Sequence, residues 1–125
     1  KKNNLNQNIQ IISGVKNSLP YFKKCNLYVS TSKYEGFPNA LVEATFFKLP
    51  IISLNFKSGL NEILCRGKGG LILKNDDLKN IAEKIILHFK NEKYLKKKQN
   101  FAKKNLKNFS YQIGIKKFKK IILNI

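Results

Sequence analysis

Four short runs, Ile9 to Ser13, Leu27 to Ser30, Ile51 to Leu54 and Leu71 to Leu73, are apolar on consecutive positions where a half-exposed strand would alternate. Runs of this kind need cover on both faces, which is the situation of a parallel strand held between layers of helices. The segments between them can supply that cover: Leu19 to Lys24, Asn39 to Lys48 and Leu60 to Leu64 read as helices, giving the order β-α-β-α-β-α-β. With right-handed crossovers this order predicts an α/β fold, an open and mostly parallel sheet of about four strands flanked by helices.

The middle helix is punctuated at both ends. Pro38 fits the first helical position, where a missing N–H costs nothing, and Pro50 bars continuation past Leu49. Ser58 is placed to cap the third helix, and Lys68, Gly69 and Gly70 form a turn into the last strand. Beyond Leu73 the pattern changes to helices alone. Leu78, Ile81, Ile85 and Phe89 mark one face of a helix that Asp76 or Asp77 could cap. Asn91 to Leu106 is a basic helix whose thin apolar side is Tyr94, Leu95, Phe101 and Leu106. A third helix from about Tyr111 to Leu123 carries Phe118, Ile121 and Ile122, and Ile125 follows, all in want of a partner surface. Two or three C-terminal helices are therefore expected.

At 125 residues the chain has the usual size of one domain, so 1–125 reads as a single unit. It contains no Met, even at position 1, which suggests a truncated part of something longer. No apolar run approaches the roughly 20 residues that cross a bilayer. Cys25 and Cys65 have no CxxC spacing or nearby His partner, so a reduced, cytoplasmic setting is expected. The net charge of +18 comes from 24 Lys and one Arg against seven acids. Nucleic acid is a poor match, because bidentate readout of bases and phosphates favours Arg. Lys, Asn and Ile make up 55 of the 125 residues, a bias of the kind an AT-rich genome imposes on surfaces. Attraction to an anionic membrane face is the second reading of the charge.

The stretch Ser32-Lys-Tyr-Glu-Gly-Phe-Pro-Asn-Ala-Leu-Val-Glu43-Ala carries the chemistry. Glu35 falls at the carboxyl edge of the sheet, where open α/β folds bind ligands, and Glu43 about one turn inside the next helix. Between them the N–H groups of Gly36, Phe37, Asn39, Ala40 and Leu41 gather at the helix start, the positive end of its dipole; Pro38 has none to give. Amides for a diphosphate, and carboxylates that accept paired hydrogen bonds from vicinal hydroxyls, suit a nucleoside diphosphate sugar.

This segment resembles the E-x7-E motif of the group 1, family 4, retaining glycosyltransferases, commonly written E-G-F-G or E-G-F-P followed by L-x-x-E-A. Further similarities are Ser13-Gly14-Val15, a strand-end glycine turn, and Lys24-Cys-Asn-Leu-Tyr-Val-Ser-Thr-Ser. They continue through Pro50-Ile-Ile-Ser-Leu-Asn, Ser58-Gly59, Glu62, Gly70-Leu-Ile-Leu and Phe109-Ser110-Tyr111, so that about 100 residues are covered. The resemblance implies a Rossmann-like fold, the C-terminal half of a two-domain GT-B enzyme. It implies that Glu35 meets hydroxyls of the donor sugar at the catalytic centre and that Glu43 holds the ribose. Gly36, Phe37, Pro38, Asn39, Ala40 and Leu41 would surround sugar and diphosphate, with Gly14 and Val15 near the base.

It also implies an N-terminal acceptor domain as partner, a fragment inactive alone, and a place in the cytoplasm or peripheral at the membrane. No metal and no other cofactor is expected, since such enzymes use protein cations and helix dipoles. The rival readings are a nucleotide-sugar epimerase of the same architecture and a basic module for nucleic acid or anionic membranes. Glu62, Asp76, Asp77, His88 and the two cysteines read as structural or solvated.

Overall fold

The computed structural model describes residues 5, 7–74, 78–110 and 112–116. The element order is α1 (Leu19–Lys24), β1 (Tyr28–Ser30), α2 (Asn39–Phe46), β2 (Ile51–Leu54), α3 (Leu60–Ile63), β3 (Leu71–Leu73), α4 (Leu78–Lys90), α5 (Glu92–Asn105) and a 3₁₀ turn, Leu106–Phe109. Residues 112–116 are helical too, whereas Phe118, Ile121, Ile122, Ile125 and the candidate caps Asp76 and Asp77 lie outside the described residues. The fold is α/β. The three strands lie in sequential order β1-β2-β3, all parallel, with Tyr28 opposite Ile51 and Ile52 opposite Leu71.

The central strand shows why its apolar residues are consecutive. Ile51 points into a cluster with Leu41, Ala44, Leu60, Ile63 and Leu64, while Ile52 and Leu54 point into the opposite one with Leu73, Ile81 and Leu95. Burying each such side chain contributes about 1.5–3 kcal/mol. Ser53 is buried between them and is satisfied by donating to the Leu54 carbonyl at 2.8 Å. The two layers are joined by α5, whose Leu95 belongs to one cluster and Ala102 to the other.

Three strands form where about four were expected. Ile9 to Ser13 pairs with nothing among the described residues, and Ile11 is 92% exposed. A strand exists only through its ladder. The sheet is complete as β1-β2-β3 among the described residues, and the run does not extend its ladder at either edge.

Three local corrections concern helix ends and faces. Pro38 is the N-cap of α2 and not its first residue, with φ −82° and ψ 74°. Ser58 does not cap α3; Gly59 does, at φ 72°. On α4 the buried stripe is Ile81, Ile85 and His88, not one running from Leu78 to Phe89, both of which are exposed. Seven residues bring the helix nearly back to the same direction, so His88 lies over Ile81 and Phe89 swings away. His88 is 5% exposed and its Nδ1 has no hydrogen-bond partner.

The end of α2 comes before Lys48 because that residue takes φ 56°. Lys48 N–H donates to the Thr45 carbonyl and Leu49 N–H to that of Ala44, each at 3.0 Å, the paired bonds of a Schellman motif that usually has glycine at the left-handed position. Lys48→Gly should therefore raise stability by about 1 kcal/mol, read as a higher denaturant midpoint with unchanged slope.

Candidate functional site

The loop from Ser30 to α2 is shaped by a neighbouring corner 20 or more residues later in sequence. The Ser58 hydroxyl donates to the backbone carbonyl of Glu35. Beside it Gly59 packs so closely that a Cβ there would lie 2.9 Å from Pro38 Cδ and 3.6 Å from the Phe37 ring. The loop is thus propped from beneath while its outer surface stays open. Tyr34 and Phe37 expose their rings, Glu35 is exposed, and a Cβ on Gly36 would meet nothing.

Fewer amides face outward at the helix start than the spacing suggested. Asn39 N–H donates to the Phe37 carbonyl at 2.9 Å, an inverse γ-turn centred on Pro38, and Leu41 N–H donates to Pro38 at 3.0 Å. The amides of Gly36, Phe37 and Ala40 have no acceptor among the described residues. The Leu41 side chain is buried in the core, so only its backbone borders the loop.

Glu43 is half-buried, and its Oε2 accepts a hydrogen bond of 2.7 Å from the Ser18 hydroxyl. That bond ties the segment entering α1 to α2. Gly14, at φ 65°, and Val15 lie on the same exposed segment, just upstream of Ser18. Tyr28, on β1, lies within range of both charges. Burial pushes its phenol up, a hydrogen bond with Ser30 opposes this, and the negative charges of Glu35 and Glu43 both raise it further.

Beside Tyr34 lies a hollow of about 630 Å³ at the carboxyl ends of β2 and β3. It is lined by Lys33, Asn55, Lys57, Asn61 and Lys74 among others. Sequence reasoning singled out none of these, nor Ser18. The position of Asn55 and Lys74 immediately after strands was the available signal, since ligands of open α/β sheets gather at that edge.

Comparison with known proteins identifies the family. Residues 1–108 match the family described as glycosyl transferases group 1, and the chain belongs to that family. It is 41% identical over 64 residues to an uncharacterized glycosyltransferase of Methanocaldococcus jannaschii, a match covering 51% of this chain and 16% of the relative. It is 31% identical over 80 residues to the capsular polysaccharide biosynthesis glycosyltransferase CapM of Staphylococcus aureus, covering 64% and 21%. A Campylobacter jejuni 4-alpha-N-acetylgalactosaminyltransferase, named for a diphospho-undecaprenol substrate, is 26% identical over 109 residues, covering 87% and 30%. The chain thus spans under a third of each of these relatives.

Proposed function

We propose that this chain is the donor-binding part of a retaining glycosyltransferase that takes a nucleoside diphosphate sugar and passes the sugar to a glycan or lipid-linked acceptor. The observation that carries the reading is the pairing of Glu35 and Glu43 across one loop, both within electrostatic reach of the Tyr28 phenol, in a chain of this family. In this reading Glu35 meets donor-sugar hydroxyls and Glu43 accepts from the ribose through Oε1, its Oε2 being engaged by Ser18. The outward amides of Gly36, Phe37 and Ala40, at the positive end of α2, face the diphosphate, and Gly14 and Val15 border the base.

Transfer then depends on electrostatic stabilisation of the departing diphosphate as the glycosidic bond loosens. Acceptor binding falls to a further domain of the whole protein, and no metal or other cofactor takes part. A peripheral place at the cytoplasmic membrane face suits a lipid-linked acceptor of the kind named for the Campylobacter relative. No helix among the described residues is long and apolar enough to cross a membrane.

Calorimetric titration with uridine diphosphate and its sugars tests the reading. A ribose hydroxyl donating to the Glu43 carboxylate contributes a charge-assisted bond of about 1.5–3 kcal/mol, so Glu43→Ala should weaken binding at least tenfold. Unchanged affinity in that variant would remove Glu43 from the site.

A further inference from the structure

A second hollow, of about 690 Å³, opens where the turn after α3 meets the end of α5. Arg66, Lys68, Lys104 and Lys107 line it, the Phe101 ring forms an apolar wall, and no carboxylate is among its lining residues. Asn61 is the one lining residue it has in common with the hollow beside Tyr34. It is a separate feature from the Glu35 corner.

Its construction sets it apart from the general lysine excess. Arg66 is the chain's sole arginine, and its guanidinium makes no ion pair or hydrogen bond among the described residues. The backbone presents it from an unusual turn: Cys65, Arg66 and Gly67 take φ of 50°, 53° and 85° in succession, left-handed conformations that two side-chain-bearing residues adopt only where the surroundings hold them. Arg66 N–H to the Asn61 carbonyl at 2.9 Å and Gly69 N–H to that of Leu64 at 2.8 Å provide the hold.

The facing wall is pinned as well. Asn105 Nδ2 donates to the carbonyls of Glu62 and Ile63 at 2.6 and 3.3 Å, and Asn108 Nδ2 donates to Asn105 Oδ1 at 2.8 Å. Lys68 sits 5.8 Å from the centroid of the Phe101 ring, which is 46% exposed. Four cations are thereby gathered round one preformed hollow without a counter-charge, an arrangement that concentrates positive potential.

We propose that this groove binds a phosphate-bearing anion. The guanidinium fork and the ammonium groups match phosphate oxygens, and Phe101 accepts whatever apolar portion adjoins them. The same chemistry could come from an anionic lipid headgroup or from a soluble phosphate. The inference goes beyond the donor site and does not rest on it.

The test uses the full chain, with inorganic pyrophosphate as one probe. Vesicles of phosphatidylglycerol in phosphatidylcholine, against phosphatidylcholine alone, are the other. An Arg66→Gln/Lys104→Gln double variant is compared with Lys23→Gln/Lys90→Gln, which removes equal charge elsewhere, and circular dichroism confirms the fold of both. About fivefold weaker binding per cation removed is expected, roughly 25-fold for the first pair and under about twofold for the second. Binding to anionic vesicles that pyrophosphate displaces makes the ligand a headgroup; pyrophosphate binding without vesicle binding makes it soluble. Equal losses in the two double variants, or no binding of either probe, overturn the proposal. So does binding of single-stranded DNA in place of both probes.

Discussion

Gly69→Ala is expected to lower stability by about 3 kcal/mol, a fall of roughly 10 °C in the melting temperature. A Cβ at Gly69 would lie 2.6 Å from Ala102 Cβ, 3.0 Å from Ala102 Cα and 3.2 Å from the Leu64 carbonyl. None of these is the free end of a flexible side chain, so relief requires α5 to move off the turn before β3. That helix cannot move cheaply, because Leu95 and Ala102 anchor it in the two clusters on opposite faces of the sheet.

A thermal melt of the single variant gives the size of the effect, and Ala102→Gly in the same chain gives its cause. Alone, Ala102→Gly should cost about 1 kcal/mol in a helix interior. Combined with Gly69→Ala it removes the colliding methyl, so the double variant should be more stable than Gly69→Ala alone. Additive losses would show that the close approach of α5 to Gly69 is not what sets the cost.

How far such contacts can be read from sequence depends on whether they are local. The parallel sheet was legible because β2 is buried on both faces, and that condition is written into four adjacent residues, Ile51 to Leu54. The bounds of α1 were legible from local signals in the same way. The run Ile9 to Ser13 misled because apolarity marks a candidate strand, whereas pairing depends on a neighbour elsewhere in the fold. On α4 the four apolar positions outnumbered the three that pack, and a histidine took one of the packed places.

The candidate site divides along the same line. Glu35 and Glu43 stand out by type and spacing within one loop and helix. The Ser18 bond to Glu43 spans 25 residues and the Ser58 bond to Glu35 spans 23, so neither leaves a local pattern. Lys33, Lys57 and Lys74 around the nearby hollow were indistinguishable by composition among 24 lysines. Arg66 was conspicuous as the sole arginine, but its strained turn and its place beside α5 are visible only in three dimensions.

Gly59→Ala should couple fold and function where Gly69→Ala reports on the fold. At φ 72° an alanine meets the left-handed penalty of about 1–2 kcal/mol, and its Cβ would press to 2.9 Å from Pro38 Cδ. The ring of Pro38 cannot swing aside as a lysine would, so the total loss should reach about 2–3 kcal/mol. Gly14→Ala isolates the first part, since Gly14 has φ 65° but nothing within 4 Å of an added Cβ. It should lose about 1 kcal/mol, and the excess in Gly59→Ala measures the collision. Pushing Pro38 also moves the Glu35 loop that Ser58 props, so uridine diphosphate sugars should bind Gly59→Ala at least fivefold more weakly at temperatures where the variant stays folded. Full affinity alongside the full stability loss would show that the Glu35 loop keeps its shape without support from the α3 corner.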